Sequence, residues 1–219
     1  MKKFLVFLVA LIATVCIGVT FYQFAKNDEV ISVNTEAIYI NYGDKLSLSD
    51  IGFTRKEANK ETTFDFNAGG DEVTSIIKFD NETQCYIPTD KGGATTIKIA
   101  TSNRKYKTLS IDIYVGIGTA ENPYYISNEK QLFDVTNSHI AEQAHFKLVN
   151  DIELKESHSP IGLINEEYKE FNGTFNGGYH TIKNLQITNC KYAGLFGMIG
   201  SEGSVKNLNI TDSKLDGQF

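Results

Sequence analysis

Thr181-Ile-Lys-Asn-Leu-Gln-Ile-Thr-Asn189 returns 23 residues later as Ser204-Val-Lys-Asn-Leu-Asn-Ile-Thr-Asp212. Lys183, Asn184, Leu185, Ile187 and Thr188 recur as Lys206, Asn207, Leu208, Ile210 and Thr211. The register runs on, with Lys191 matching Lys214, Gly194 matching Gly217 and Phe196 matching Phe219. A fixed period of this size marks a solenoid, because each unit buries its apolar face only against its neighbour. Ile182, Leu185 and Ile187 lie close together, with Lys183 and Gln186 between them, and Val205, Leu208 and Ile210 repeat the set. Coils of 23 residues, stacked ~4.8 Å apart, place each residue over its copy. Asn184 over Asn207 then predicts a ladder of side-chain amides at a bend, where asparagine's tolerance of left-handed backbone helps. Leucine-rich repeats share the period, but the glycine-rich run Gly194 to Gly200 cannot form the helical backs they need. The expected architecture is a parallel β-helix.

The approach to the repeat carries its own signals. Glu121-Asn122-Pro123 reads as a turn and Tyr124 to Ile126 as a short strand. Asn128 to about Asn137 reads as a helix, because Asn128 can cap it and Gln131 stands three residues later, as a capping box requires. Such a helix covers the open end of the sheet that follows, where a bare edge invites aggregation. At the other end Phe219 aligns with Phe196, so the sequence stops in mid-coil. Solenoids need about three or more repeats. The expectation is a fragment, with more coils or another domain beyond it.

These motifs resemble a known family. The run Phe171-Asn-Gly-Thr-Phe-Asn-Gly-Gly-Tyr-His-Thr-Ile-Lys-Asn-Leu185, followed by Ala193 to Gly197, is similar to the opening of GLUG-motif repeat proteins. So are Asn122 to Asn128, Phe146 to Leu154 and Pro160-Ile-Gly162, and the match spans Gly116 to Phe219. The family occurs in bacterial surface and adhesin-like proteins and in non-catalytic parts of some secreted peptidases. The resemblance implies an exterior location and a right-handed β-helix, and it implies no reaction.

Before Gly116 the chain changes character. Segments of alternating polarity follow one another between turn residues: Ile38, Ile40 and Tyr42 alternate with Tyr39 and Asn41, and Leu46 to Ser49, Thr62 to Asn67, Val73 to Asp80 and Cys85 to Pro88 follow. Thr96 to Ala100 and Leu109 to Val115 complete the set. Short strands at this density predict a β-sandwich. Tyr86-Ile-Pro88 and Lys91 to Ile99 resemble the late strands of bacterial immunoglobulin-like domains. The division expected is 1–26 as a membrane segment, 27–116 as an immunoglobulin-like sandwich and 117–219 as the cap and first coils of the β-helix.

The membrane segment is read from Lys2 and Lys3, followed by an apolar run from Phe4 to Phe21 that continues to Ala25. The run is long enough to cross a bilayer as a helix, and the lysines orient its start toward the cytoplasm. A cleaved signal peptide ending near Gly18 is the rival, and a lipoprotein signal using Cys16 is the third option. All three lead out of the cytoplasm. The fold class is thus all-β, with an N-terminal transmembrane helix, a sandwich and the start of a β-helix.

A net charge of -6 and just two arginines, Arg55 and Arg104, argue against nucleic acid, whose phosphates call for a basic footprint. Cys85 and Cys190 fall in different modules and are expected to be lone buried thiols, since a bridge needs Cα atoms within ~7 Å. Asp151 and Glu153 alternate on a strand and share one face, which could serve acid–base chemistry but reads better as a solvated face. His139, His145, His158 and His180 lack metal-ligand spacing. Glu166, Glu167 and Glu170 with Asp151 could attract calcium but read better as a charged loop, and Gly200-Ser-Glu-Gly-Ser204 reads as a turn rather than a nucleophile motif. No cofactor and no catalytic group are expected. Tyr124, Tyr125, Tyr168, Tyr179 and Tyr192 are the candidates for ligand contact, since exposed aromatic rings stack on sugars or anchor interfaces. Asn184, Leu185, Ile187, Gly194 and Phe196, with Asn207, Leu208, Ile210, Gly217 and Phe219, are the structural positions of the repeat. The expected role is a non-catalytic adhesion, binding or stalk module at the cell surface, facing host or cell-wall glycan or protein. The alternative is an accessory region of a larger secreted peptidase or polysaccharide-processing enzyme.

Overall fold

The computed structural model describes residues 22–26, 29–33, 37–47, 53–56, 64–67, 75–80, 82–83, 85–101, 109–140 and 142–217; for 22–26, 29–33, 53–56, 64–67, 98–101 and 109 it describes the backbone. Among these residues no helix is long and apolar enough to cross a membrane. The apolar run was expected to stay helical to its end, but β1 (Tyr22–Lys26) is a strand. It pairs antiparallel with β2 (Glu29–Val33), which pairs in turn with β5 (Phe53–Lys56). Tyr22, Gln23, Phe24 and Ala25 have the alternating, aromatic character that suits a pleated ribbon, and the ladder takes up backbone groups that a spanning helix would bond internally. Residues 1–21, including Cys16 and Gly18, lie outside the described residues.

The first module is built on β3 (Ala37–Asn41), β6 (Phe64–Asn67), β9 (Gly93–Thr101) and β10 (Leu109–Gly116), in the order β3-β10-β9-β6. A second sheet holds β4 (Leu46–Ser47), β8 (Cys85–Pro88) and β7 (Ile77–Asp80). Ile111, Ile113 and Val115 alternate with polar neighbours and are fully buried, as are Ile97, Ile77 and Tyr86. Period-two burial of this kind fixes the register, since a slip by one residue would turn every isoleucine to solvent. Burial pushes the Tyr86 hydroxyl up to about 12. All pairings in these two sheets are antiparallel except that of β3 with β10, which is parallel.

The two modules meet through a side chain acting as backbone. Asn41 ends β3 and is 3% exposed. Its Nδ2 donates to the carbonyl of Tyr125 at 2.9 Å, and its Oδ1 accepts from the Tyr125 N–H at 2.7 Å. The amide thus supplies one donor and one acceptor to the edge of β11 (Tyr124–Ile126), as a neighbouring strand would. Gly116 makes the approach possible, because a Cβ there would lie 2.2 Å from the Pro123 carbonyl oxygen and 2.7 Å from Asn41 Oδ1. The Tyr39 ring stacks on Tyr114 with centroids 5.1 Å apart and leans on Tyr125 at 5.0 Å. Burial raises the pKa of Tyr125 and Tyr39, so both remain neutral in this aromatic seam.

Beyond the joint, strands stack in parallel. The first sheet runs through β11, β12 (His145–Leu148), β16 (Thr174–Asn176) and β19 (Ser204–Lys206). The second holds β13 (Ile152–Glu153), β17 (Thr181–Lys183) and β20 (Asn209–Thr211), and the third β18 (Gln186–Cys190) and β21 (Lys214–Gly217). Equivalent residues form columns: Tyr124, Phe146, Phe175 and Val205 on the first face, and Ile152, Ile182 and Ile210 on the second. Phe146, Phe171, Phe175, Ile182, Leu185 and Ile187 are fully buried between the faces. A small antiparallel hairpin, β14 (Leu163–Ile164) with β15 (Glu167–Tyr168), turns through Asn165 and Glu166, both with positive φ, and packs Leu163 and Ile164 against the core.

The stack corrects the expected coil length. Phe175 pairs with Val205 and Ile182 with Ile210, spacings of 30 and 28 residues, not 23. The two copies of the motif lie on different faces, since Thr181–Lys183 is on the second sheet and Ser204–Lys206 on the first. What repeats every 23 residues is local backbone: Asn184 and Asn207 are left-handed with φ 59 and 54, and so are Asn189 and Asp212 with φ 59 and 53. Asn184, Asn207 and Asp212 each bend one strand into the next at low cost for asparagine or aspartate, while Asn189 sits at a register shift inside β18. The amide ladder is likewise not Asn184 over Asn207. Asn207 Nδ2 donates to Asn176 Oδ1 at 3.1 Å, and Asn184 Nδ2 donates to Glu153 Oε1 at 3.2 Å. Phe219 lies outside the described residues.

Helix α1 (Glu129–Ser138) packs on the first rung with Leu132 and Phe133 buried in the coil's core. Asn128 caps it, its Oδ1 accepting from Gln131 N–H at 2.9 Å, while Gln131 Oε1 reaches back to the Ser127 N–H at 2.9 Å. Glu129 pins the helix sideways. Its Oε1 meets His158 Nε2 at 2.6 Å and accepts the Lys155 N–H at 3.1 Å, and Phe133 stacks on His158 at 3.9 Å. The His158 contact first, and the N–H groups of Lys155 and Glu156 after it, hold the Glu129 carboxyl below its ordinary value.

Two outcomes follow. Asn41→Ala removes both bonds and leaves the Tyr125 N–H and carbonyl unpaired, so denaturant melts should show a loss of about 2–4 kcal/mol. Asn41→Asp, which sets an acceptor against the Tyr125 carbonyl, should lose at least as much. The second concerns pH. A carboxyl with a lowered folded pKa adds stability above its unfolded value, here 4.5, and loses it as pH falls through the folded value. Thermal midpoints should drop as pH is taken from about 5 toward about 3, and Glu129→Gln should show a shallower drop over that window.

Candidate functional site

The five tyrosines read from the sequence as ligand contacts do not converge. Tyr125 is buried in the joint. Tyr124 stacks on His139 with centroids 4.5 Å apart and leans on Phe146 at 5.8 Å, inside the coil. Burial, and then Glu142, raise its pKa. Tyr168 and Tyr192 make an edge-to-face pair at 4.8 Å, with the Tyr192 N–H donating to the Tyr168 hydroxyl and the Lys191 ammonium 5.1 Å from the Tyr192 ring centre. Tyr168 also sits against Gly197, where a Cβ would be 2.7 Å from the ring. Tyr179 stands apart, 78% exposed, at a left-handed turn with φ 64. Packing thus claims Tyr124, Tyr125 and Tyr168, and leaves Tyr179 and Tyr192 outward.

The repeat positions are structural to different degrees. Leu185 and Ile187 are fully buried, Phe196 packs on Phe171 at 4.7 Å and Phe175 at 5.5 Å, and Gly217 pairs with Cys190. On the last rung Leu208 is partly buried, whereas Ile210 is 40% exposed. Cys190 is buried and Cys85 half-buried, and both thiols are free.

Acidic groups and histidines form separate pairs on the coil's surface. Asp151 accepts the Thr181 N–H at 2.9 Å and meets His180 Nδ1 at 3.2 Å; the first contact, then the second, lowers its pKa. Glu153, expected on the same face, takes the Asn184 amide instead. Each carboxylate therefore ties one rung to the next. His139, which caps the C-terminal end of α1, meets Glu142 at 2.7 Å. Among the described residues no group of three or more His, Cys, Asp or Glu side chains could hold a metal ion.

A cleft that the sequence reading missed lies in the first module. β3 ends at Asn41, and Asn41 N–H donates to Asp44 Oδ2 at 2.8 Å while Asp44 N–H donates to the Asn41 carbonyl at 2.9 Å. With Gly43 at φ 95, this turn throws the Tyr42 ring outward, 57% exposed. The ring borders a cavity of about 480 Å³, with Phe79, Ile87 and Pro88 as apolar lining and Lys78, Asp80 and Asp90 around it. Lys78 stands across the ladder from Ile87. Asp80 is held in place by Thr83 Oγ1 at 2.6 Å and the Glu82 N–H at 3.1 Å, which keep its carboxyl below the usual carboxylate range. Alternation alone puts Tyr42 in register with Ile38 and Ile40; the Gly43-Asp44 turn directly after it was the available signal.

No family model matches the chain. A Gly-rich membrane protein of Evansella cellulosilytica is 40% identical over 102 residues, 44% of this chain and 12% of that protein. Halomucin of Haloquadratum walsbyi is 32% identical over 117 residues, 48% of this chain and 1% of that protein. The chain thus spans about an eighth and about a hundredth of the length of these two curated relatives. Both likenesses are to short portions of much longer proteins, one of them named for the membrane.

Proposed function

We propose that this chain is a non-catalytic segment of a membrane-associated or cell-surface protein, serving as a binding or stalk module toward host or cell-wall glycan or protein. The observation that carries this reading is the stack of parallel rungs bolted to the first module through Asn41. Apolar columns fill its interior and the carboxylates outside it bond neighbouring rungs, an arrangement that suits a stiff support. The name of the Evansella relative supports the membrane or surface location. The GLUG-like run from Phe171 to Leu185 and the immunoglobulin-like run from Tyr86 to Ile99 support the surface role by resemblance.

Protease shaving of intact cells that express the chain tests the location. Peptides from 124–217 should appear in the supernatant while a cytoplasmic marker stays in the cells. If they appear only after lysis, the surface reading is wrong. Hydrolysis of polysaccharide or peptide substrates by the purified chain would instead overturn its non-catalytic character.

A further inference from the structure

The cleft beside Tyr42 belongs to neither the coil nor the joint, and the stalk reading makes no use of it. Its neighbours Tyr39 and Tyr114 are stacked together, yet the Tyr42 ring stands free of that seam and more than half exposed. The turn through Gly43 and Asp44 sets the direction in which this side chain leaves the backbone. Beside it lie Ile87 and Pro88, an apolar patch against which a ligand face can desolvate. The polar groups there are of both signs, Lys78 on one hand and Asp80 and Asp90 on the other.

That combination selects a ligand class. An anion would meet two carboxylates. A metal cation would find an ammonium and no third carboxylate. A purely apolar ligand would strip water from three charges and give them no partner. A neutral sugar answers every part: its C–H face packs on an aromatic ring, and its hydroxyls both donate to carboxylates and accept from an ammonium. Asp80 is prepared for this, because Thr83 and Glu82 fix it, and an ionised carboxylate has about four acceptor positions, more than these contacts take up. The cavity, about 480 Å³, falls within the range of roughly 300–1,000 Å³ usual for small-ligand sites. We propose that the cleft binds a neutral saccharide, with the Tyr42 ring against a sugar face and Asp80, Asp90 and Lys78 at its hydroxyls. The proposal rests on the reading of the chain as a surface binding module and adds the class of its ligand.

The full chain, titrated with maltotriose, cellotriose, triacetylchitotriose and the anionic trigalacturonate and followed by calorimetry, tests it. At least one neutral trimer should bind saturably, in the millimolar range or tighter. Tyr42→Ala and Asp80→Asn should each weaken it by ~10-fold or more, about 1.4 kcal/mol. Tyr42→Phe, which keeps the ring, and Tyr179→Ala, which alters a distant exposed ring, should leave it unchanged. An unaltered thermal midpoint for Tyr42→Ala shows that the loss is not unfolding; if that variant melts early, Asp80→Asn alone decides. Binding of no neutral trimer, a preference for trigalacturonate, or affinity indifferent to the substitutions would overturn the proposal. Surface exposure with no effect of Tyr42→Ala would remove the saccharide site and leave the surface reading standing. Saccharide binding by a chain that shaving finds inside the cell would do the reverse.

Discussion

The joint between the modules depends on one side-chain amide that behaves as a peptide group. Asn41 lies where β3 ends, and its Oδ1 and Nδ2 satisfy the N–H and carbonyl of Tyr125 as a strand neighbour would. A buried pair of backbone groups without partners is expensive, so the start of the coil is specified by a residue 84 positions earlier. The aromatic seam of Tyr39, Tyr114 and Tyr125 closes around that contact and keeps water from it. Gly116 is a condition of the same contact, since any side chain there would occupy the place of the Pro123 carbonyl. Two modules of different construction are thereby given a defined mutual orientation.

From that fixed start the coil is laid down rung by rung. The first rung is sealed by α1, and Glu129 and His158 tie the helix to the segment after β13. Each later rung registers on the one below through its apolar column, and through polar contacts such as Asp151 with Thr181 and Asn176 with Asn207. The columns are not identical in spacing, because the corners differ. The lower rung passes from the first face to the second through Gly177, Gly178, Tyr179 and His180, whereas the upper rung uses Asn207 and Leu208 alone.

Much of this was legible in the residues, and what was not has physical reasons. Alternation found Leu109 to Val115, and the pairing of Asn128 with Gln131 found α1, because both signals are local. The motif at Thr181 and Ser204 was real, but it records corner chemistry, and only vertical pairing shows that its copies stand on different faces. The apolar run ending at Ala25 was read by hydropathy, which does not distinguish a helix from a strand, and its final residues are strand. Tyr42 was hidden by the same alternation that located its strand, while Tyr124 and Tyr125 were legible as aromatic but not as buried. Whether a ring packs or projects is decided by contacts far along the chain.

The parallel pairing of β3 with β10 has a mechanical meaning. The strand by which the chain enters the four-stranded sheet and the strand by which it leaves toward the coil lie side by side, pointing the same way, over Ala37–Asn41 and Asp112–Gly116. A pull applied before Ala37 and beyond Gly116 drags the two strands past each other along their length. Every bond of that ladder is then loaded together, in shear, rather than opened one after another from an end. A molecule tugged between its two ends would meet its resistance in this short ladder, whose last residue carries the amide that sets the coil.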